Sequence, residues 1–244
     1  MQYEKPIFLI AGDQALVVEL GNRVDPDVNR RVHNLLRAVE GRDIQGVVDL
    51  VPTYRSLLVQ FDALQTSHRE LEEVLSEIER GLDEQSQEPP RTVIIPTLYA
   101  GEYAPDLETV AGHTGLSQEE VVAIHCGTDY LVYMMGFTPG FPYLGGLPES
   151  LVTPRLETPR AVIPAGSVGI AEGQTGVYPV DSPGGWRIIG RSPLVFFDPK
   201  RETPSLLAAG DYVRFSPLPD EDEYLRTRDL VESGRYQVAT ATDK

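Results

Sequence analysis

The segment GFTPGFPYLGGLP (136–148) decides the fold of the second part of this chain. It opens a stretch, 136–217, that holds 12 of the 22 glycines and 12 of the 20 prolines. Glycine allows positive φ and proline fixes φ near −65°, so this density predicts tight turns between short strands. Apolar runs such as AVIPAGSVGIA (161–171) and WRIIG (186–190) supply the strands. The stretch therefore predicts a β barrel or sandwich rather than a flexible linker.

Just before this stretch, the sequence pattern predicts strands and helices in alternation. The predicted elements are strands at 92–99 and 129–136 and helices at about 106–113 and 118–126. Ser117 followed by Glu120 is a capping box, which marks the start of the second helix. An acidic, partly helical tail is expected from about Asp220. Together these elements describe a mostly β domain with a few short helices.

The first 88 residues have a different pattern, of order ββαββα. The predicted strands are PIFLIAG (6–12), ALVVELG (15–21), GVVDLVP (46–52) and SLLVQFD (56–62). Two apolar stripes at helical spacing predict the helices, and their members are Val28, Val32, Leu35, Leu36 and Val39, then Leu71, Val74, Leu75, Ile78 and Leu82. Asp25 can cap the first helix, and Ser67 can start the second. This order predicts a small sheet with both helices on one face, an α+β domain of ferredoxin-like type.

The polar segment DEQSQEPPR (83–91) separates the two patterns. It contains Pro89-Pro90 and follows the last helical position, which is typical of a domain boundary. We therefore predict two domains, 1–88 and 89–244.

Composition and charge exclude several classes of protein. The formal charge of −16 opposes binding to nucleic acid, and a segment resembling a helix-turn-helix at 106–125 has no Lys or Arg on its second helix. No apolar run approaches the roughly 20 residues that span a bilayer. The N-terminal segment does not have the pattern of a signal peptide. A lone cysteine, Cys126, fits a reducing cytoplasm, so a cytoplasmic protein without membrane contact is expected.

Two common kinds of site are absent from the sequence. The four histidines, His33, His68, His113 and His125, are scattered singly, and no HxxxH or CxxC spacing occurs, so no metal site is predicted. The phosphate-loop pattern GxxxxGK[ST] is also absent. A nucleotide that binds here would need another kind of site.

The glycine- and proline-rich loops supply the candidate site residues. Phe137, Phe141 and Tyr143 offer aromatic faces on a stiff backbone, which suits the wall of an apolar pocket. The related segments PAGSVGI (164–170), QTGVYP (174–179) and SPGGWRIIGRSP (182–193) add further candidates, which are Gln174, Tyr178, Ser182 and Trp186. A purely structural corner is the alternative interpretation of these loops.

Three charged or titratable residues are the candidates for catalysis: His125, Arg155 and Arg160. A helix C-terminus raises the basicity of His125, although a histidine that caps the helix would look the same in sequence. Seven Arg and Lys balance seven Asp and Glu over 136–217, so we expect the arginines to be free of local carboxylates and available to an anion. We expect the three residues to border one pocket with the 136–148 loop. The alternative is that the arginines brace turns.

These segments together resemble a known family. GFTPGFPYLGGLP, Pro154-Arg155, Pro159-Arg160, PAGSVGI, QTGVYP, SPGGWRIIGRSP and GDYVRFSP (210–217) occur in the order found in the family of 5-oxoprolinase B subunits, also called KipI-like or allophanate hydrolase subunit 1. The resemblance extends to GDQALVVELG (12–21) and LVPTYRSLLVQFD (50–62). It implies a small α+β domain followed by a cyclophilin-like β barrel.

The resemblance also implies partners and a reaction. Members act with a KipA-like protein and a LamB/YcsF-like protein, the C and A subunits of an ATP-dependent enzyme that opens 5-oxo-L-proline to L-glutamate. His125, Arg155, Arg160, Gln174, Tyr178 and the 182–186 loop fall on the shared motifs. Two other activities fit the same resemblance, namely inhibition of a sensor histidine kinase and carboxyltransferase-like action on urea-type substrates.

Overall fold

A computed structural model of the protein describes residues 1–82 and 91–241. The chain divides into two compact units, Met1–Glu88 and Pro89–Lys244. The predicted boundary segment 83–91 lies almost wholly outside the described residues. None of the helices within the described ranges is both long enough and apolar enough to cross a lipid bilayer.

The first unit is a four-stranded antiparallel sheet with two helices. Its elements are β1 (Gln2–Ile10), β2 (Ala15–Gly21), α1 (Pro26–Glu40), β3 (Val47–Pro52), β4 (Ser56–Phe61) and α2 (His68–Arg80). The strands lie in the order β1-β2-β4-β3. The inward residues of the strands and the apolar stripes of both helices form one core, so both helices lie on the same face of the sheet.

Local sequence signals set the ends of these helices. Asp25 caps α1 by accepting hydrogen bonds from the backbone N–H groups of Asp27 and Val28. Ser67 and Glu70 form a capping box at the start of α2. One residue of the predicted stripe departs from the pattern, because Val74 is 37% exposed. The core contacts of α2 come from its neighbours Leu71, Leu75 and Ile78.

The second unit is mostly β structure. Its strands are β5 (Thr92–Thr97), β6 (Asp129–Met135), β7 (Pro142–Gly145), β8 (Arg160–Ile163), β9 (Ser167–Ala171), β10 (Gln174–Val177), β11 (Ser182–Gly184), β12 (Arg187–Arg191), β13 (Tyr212–Pro217) and β14 (Thr240–Ala241). Its helices are α3 (Leu107–Thr114), α4 (Gln118–Cys126) and α5 (Glu221–Glu232). The coarse prediction of an α+β first part and a mostly β second part is confirmed.

Eight strands of this unit form one sheet that closes on itself. Their order is β12-β9-β10-β7-β6-β13-β5-β14, and β8 and β11 form a separate pair. Leu98, which directly follows β5, exchanges two backbone hydrogen bonds of 2.9 and 3.0 Å with Arg191 at the end of β12. We call this pair of hydrogen bonds the clasp. It joins β5 to β12, which lie near opposite ends of the strand order, so the sheet is closed into a barrel.

Strands β9 and β10 separate two buried regions of the second unit. Val168, Ile170 and Val177 point into the large barrel core. Ala171 and Tyr178 belong to a smaller cluster on the opposite side. Because successive residues of a strand point to opposite faces, each strand contributes to both regions.

Candidate functional site

The smaller cluster is built from aromatic rings that the sequence analysis selected. The Phe141 ring centroid lies 5.6 Å from that of Tyr178 and 5.9 Å from that of Trp186, and both pairs meet edge to face. Tyr178 and Trp186 are 6.2 Å apart in the same geometry, and Tyr143 packs against Phe141 at 5.4 Å. Such pairs contribute about 0.5–1.5 kcal/mol each beyond the area they bury. The structure thus brings these four predicted residues together.

Glycines make room for this aromatic cluster. Gly169 and Gly176 are direct partners across β9 and β10. A Cβ at Gly176 would lie 3.1 Å from the Trp186 ring, and a Cβ at Gly169 would lie 3.2 Å from the Trp186 Cβ. At Gly184 a Cβ would lie 2.4 Å from the Tyr178 hydroxyl oxygen. These glycines are therefore required by close approach rather than by backbone dihedral angle.

Phe137 lies at the exposed end of the cluster in a strained conformation. Its φ is 64°, in the left-handed region that non-glycine residues rarely adopt. Its side chain is 66% exposed, and its ring meets Phe141 edge to face at 5.5 Å. The hydroxyl oxygen of the next residue, Thr138, is buried and has no hydrogen-bond partner among the described residues. Strain and exposure at an aromatic side chain are features common at binding sites.

Arg160 is held by a buried carboxylate. Its Nη2 donates to Asp106 Oδ1 at 2.8 Å, and its Nη1 donates to the backbone oxygen of Trp186 at 3.3 Å. Asp106 is only 5% exposed, and its Oδ2 accepts from the backbone N–H of Ile188 at 2.7 Å. The expectation that the arginines are free of local carboxylates is therefore wrong for Arg160. The predicted balance of charge over 136–217 did not include Asp106, which comes from outside that range.

Arg155 and Arg187 are in a different electrostatic setting. Arg187 Nε donates to the backbone oxygen of Pro154 at 3.2 Å, next to Arg155. Within the described residues no carboxylate forms an ion pair with either arginine. Burial raises the pKa of Tyr178 to about 12, and the positive charges of Arg155 and Arg160 act in the opposite direction. Arg155 and Arg160 are thus close enough to influence the Tyr178 hydroxyl.

His125 lies in the barrel core, where it is fully buried. Its Nε2 lies 2.9 Å from Thr175 Oγ1, and its Nδ1 lies 2.8 Å from the Tyr99 hydroxyl. Thr175 donates its only hydroxyl proton to the backbone oxygen of Gly169, so it accepts from Nε2–H, and Tyr99 donates to Nδ1. Burial lowers the pKa of His125 from its ordinary value of 6.5 to about 3. The imidazole is neutral, with both nitrogens satisfied.

The sheet separates His125 from the aromatic cluster. Thr175, its partner, points to the barrel core, whereas Tyr178 on the same chain segment points to the aromatic cluster. The expectation that His125, Arg155 and Arg160 border one pocket is therefore wrong for His125. The sequence pattern of α4 predicts that His125 lies at the end of a helix. It does not indicate which face of the sheet this helix end meets.

The two remaining candidates each begin a strand, and the two strands belong to different sheets. Gln174 begins β10 and is half-buried. Ser182 begins β11, is buried, and donates its hydroxyl proton to the backbone oxygen of Val180 at 3.0 Å. Asp106 is the site residue that the sequence analysis missed. It immediately precedes α3 and has the residue type of a helix cap, yet it makes no capping hydrogen bond.

No metal centre accompanies this cluster in the described part of the chain, where no group of three or more His, Cys, Asp and Glu is arranged to hold an ion. A cavity of about 400 Å³ lies elsewhere in the second unit, lined mainly by apolar residues at the ends of β5, β13 and α4. Its lining includes Tyr99 but none of the predicted site residues.

Comparisons with known proteins identify the family. Residues 6–207 match the family model of the carboxyltransferase domain, subdomain C and D. The chain is 41% identical to the 5-oxoprolinase B subunit of Bacillus subtilis, over 86% of this chain and 92% of that protein. It is also 41% identical to the 5-oxoprolinase B subunit of Escherichia coli O157:H7, over 85% of this chain and 94% of that protein.

Solved structures agree with these matches. TTHA0988 is 40% identical with a TM-score of 0.76, over 85% of this chain and 41% of that longer chain. PH0987 from Pyrococcus horikoshii, an uncharacterized protein, is 48% identical with a TM-score of 0.54, over 89% of this chain and 100% of that chain. The urea amidolyase of K. lactis shares the fold at 20% identity and a TM-score of 0.77, over 97% of this chain and 16% of that chain.

The fold is thus that of a carboxyltransferase-type C and D domain. Within that class, the chain belongs to the family of 5-oxoprolinase B subunits.

Proposed function

We propose that this protein is the B subunit of an ATP-dependent 5-oxoprolinase that opens 5-oxo-L-proline to L-glutamate. The observation that supports this is the 41% identity to two curated 5-oxoprolinase B subunits over most of both chains. In this proposal the protein is a cytoplasmic component of a hetero-oligomer, whose C subunit is KipA-like and whose A subunit is LamB/YcsF-like. ATP is a co-substrate held together with a partner protein, because the sequence lacks GxxxxGK[ST].

The architecture in this proposal is a ferredoxin-like domain, 1–88, followed by a cyclophilin-like barrel domain, 89–244. The strand order β1-β2-β4-β3 with two helices on one face supports the first description. The clasp between Leu98 and Arg191, which closes the sheet, supports a barrel for the second.

The chemistry of lactam opening sets what the complex must supply. A lactam carbonyl is a poor electrophile, and transfer of a phosphoryl group from ATP to its oxygen forms an O–P bond while the γ-phosphoryl bond breaks to release ADP. Water then adds to the ring carbon, and the C–N bond breaks as the nitrogen takes up a proton, which leaves an acyl phosphate. A second water hydrolyses this acyl phosphate to the carboxylate and inorganic phosphate. Negative charge develops on oxygen during these steps, and guanidinium groups stabilise such charge.

The aromatic cluster is the proposed contribution of this chain to substrate binding. Phe137, Phe141, Tyr143, Tyr178 and Trp186 supply the apolar wall for the ring, with Gln174 and Ser182 at its ends. Arg155 contacts substrate in this proposal. Arg160 acts indirectly, because it holds the backbone of Trp186 in place. The buried, neutral His125 stabilises the barrel and does not contact the substrate.

Reconstitution tests the proposal. We expect the purified chain alone to hydrolyse ATP poorly, and co-expression with its neighbouring-gene partners to give ATP hydrolysis that depends on 5-oxo-L-proline and yields glutamate. Full turnover by the single chain, or no turnover by the assembled complex, would contradict the proposal.

The carboxyltransferase alternative has one supporting observation, the match to the carboxyltransferase domain model. The same reconstituted complex, supplied with urea and a carboxybiotin donor, distinguishes the two functions. Carboxylation of urea without 5-oxoproline-dependent ATP hydrolysis would favour this alternative. Binding to a sensor histidine kinase stays a prediction from the sequence, and co-purification with such a kinase would test it.

A further inference from the structure

We propose that the helix-free face of the sheet in the first unit is a docking surface for a different protein chain, one that presents aliphatic side chains bordered by basic residues. This face is crossed by four apolar side chains that we call the apolar row: Leu9, Val17, Leu58 and Val51. The docking proposal rests on the proposed function for the identity of that chain, which is one of the partner subunits.

Strand pairing places the four side chains of the apolar row in line. Leu9 of β1 is the direct partner of Val17 of β2, and Val17 is the direct partner of Leu58 of β4. Leu58 is in turn the direct partner of Val51 of β3. Direct partners in antiparallel strands point to the same face and lie side by side. The row therefore runs without interruption from one edge strand of the sheet to the other.

The apolar row lies on the side of the sheet that faces away from the helices. The inward residues next to the row on β2 and β4 are at most 1% exposed, and they are Leu16, Val18, Leu57 and Val59. They pack against both helices. By contrast, Leu9 is 46% exposed and Val51 is 36% exposed at the two ends of the row. Single exposed apolar side chains are ordinary, whereas a contiguous exposed group marks an interaction site.

The edge strands of this sheet favour docking on the face over the addition of a strand. β1 contains Pro6, and its register is irregular just before Ile7. β3 ends at Pro52, and its register is irregular just before Asp49. Proline and irregular register prevent an incoming strand from pairing along an edge. A partner therefore meets this sheet through the side chains of its face.

The size of the face favours a larger partner over a second copy of this chain. Four strands about 4.8 Å apart, with about five residues each at about 3.3 Å, present a face of roughly 300 Å². Two copies joined through this face alone would bury roughly 600 Å², whereas stable interfaces bury about 1,200 Å² or more. A different protein that also contacts other surfaces of the chain supplies the remaining area.

A related protein has further polypeptide beside this fold. In TTHA0988 the region similar to this chain makes up 41% of a longer chain, so more than half of that chain is other protein. A different protein, rather than a second copy, is the neighbour that this arrangement favours.

Charge sets the chemistry of the partner's rim. Residues 1–88 contain 17 Asp and Glu and 9 Lys and Arg, a formal charge of −8. Asp49, exposed on the same face two residues from Val51, adds a negative charge at one end of the apolar row. Opposite charges steer association and set its register, so basic residues around an aliphatic patch are the complement of this surface.

The experiment uses the complex formed by co-expression of the full-length chain with its neighbouring-gene partners. Leu9→Lys and Val51→Lys place a charge at each end of the apolar row, in edge strands where lysine is well tolerated. We expect each variant to weaken binding of the partner about tenfold or more, measured by titration of the purified proteins. Urea unfolding midpoints equal to that of the wild type show that the variants keep the fold.

Val74→Lys is the matched control for these variants. Val74 is 37% exposed, close to the 36% of Val51, and it lies on α2, on the helical side of the same unit. It should leave binding unchanged. Hydroxyl-radical footprinting of the wild-type complex needs no substitution: oxidation of Leu9 and Leu58 should fall, while that of Leu64, a loop residue that is 96% exposed, should not.

Four results would overturn the docking proposal. They are binding that Leu9→Lys and Val51→Lys leave unchanged, unchanged oxidation of Leu9 and Leu58 in the complex, a dimer of the wild-type chain that these variants dissociate, and the absence of any complex. If the complex opens 5-oxo-L-proline and is insensitive to the variants, the surface is wrong and the proposed function stands. If the variants release the partner but the wild-type complex does not open 5-oxo-L-proline, the surface stands and the proposed function is wrong.

Discussion

His125 and Tyr178 are buried rings on opposite faces of the same strand pair, and they differ in what their polar atoms meet. Both nitrogens of His125 have partners, Tyr99 and Thr175. The hydroxyl of Tyr178 makes no hydrogen bond to a described residue and is not one of the fully buried polar atoms that lack a partner. Two positive charges act on it, those of Arg155 and of Arg160, and Arg160 is paired with Asp106. A buried polar group whose hydrogen bonds are all made inside the protein stabilises the fold, whereas a hydroxyl that makes none inside the protein contributes little to it.

The largest effect on stability is expected from removing the hydrogen bonds of His125. His125→Leu removes one donor and one acceptor, which leaves the Tyr99 hydroxyl and the Thr175 hydroxyl buried with a lost partner. We expect a loss of about 4 kcal/mol in the free energy of unfolding, since each such group costs about 1–3 kcal/mol. Urea denaturation at pH 7 measures it. A loss below about 1 kcal/mol would show that this network contributes little to stability.

Arg160→Ala should have the next largest effect. It leaves the buried carboxylate of Asp106 without its ion-pair partner, while the backbone N–H of Ile188 still donates to it. Breaking a buried pair costs about 3–5 kcal/mol, and partial exposure of Arg160 reduces this to about 2 kcal/mol. Arg155→Ala is the matched control and should change stability by less than about 0.5 kcal/mol. Equal losses in the two variants would contradict the distinct roles given to these arginines.

Lowering the pH should reduce the contribution of buried, neutral His125 to the stability of the fold. The folded protein keeps His125 neutral down to a pKa of about 3, whereas the unfolded chain binds a proton below about 6.5. The stabilising contribution is thus complete above pH 6.5 and decreases as the pH falls toward 3. We expect a loss of about 2 kcal/mol between pH 6.5 and 5, at about 1.4 kcal/mol per pH unit. NMR titration checks the cause, and a His125 ring that titrates near pH 6.5 in the folded protein would refute it.

The smallest effect on stability is expected from Tyr178→Phe. The ring contacts with Phe141 and Trp186 remain, and the hydroxyl that disappears has no partner to lose among the described residues. We expect a change of less than about 0.5 kcal/mol in the free energy of unfolding, in either direction. Thermal unfolding of this variant beside the wild type measures it. A loss above about 1 kcal/mol would mean that the hydroxyl already has a structural partner.

The features that the sequence predicted well are those with local causes. Asp25, Ser67 and Ser117 start helices because each accepts a hydrogen bond from a residue two or three positions along the chain. The aromatic residues between glycines in 136–148 and 174–186 were predicted to form the wall of an apolar pocket. Four of these rings do pack together, and their part in a pocket stays a prediction.

The features that the sequence did not predict depend on contacts between distant residues. Asp106 bonds to Ile188, 82 positions away, and no local pattern indicates that contact. The face on which Thr175 or Tyr178 lies depends on strand register, which a shift of one residue would reverse. His125 therefore lies at the helix position predicted for a catalytic base, but on the opposite side of the sheet from the aromatic cluster.

The clasp between Leu98 and Arg191 gives the barrel a seam. Two backbone hydrogen bonds close the circle there, while the neighbouring strands are joined by longer ladders. Fluctuations that open the barrel should begin at this seam, and amide hydrogen exchange at Leu98 and Arg191 reports their frequency. The same strand, β12, carries Arg187 at its other end. Contacts that hold either end of β12 should thus slow deuterium uptake at the seam, and loss of the contact between Arg187 and the backbone oxygen of Pro154 should make that uptake faster.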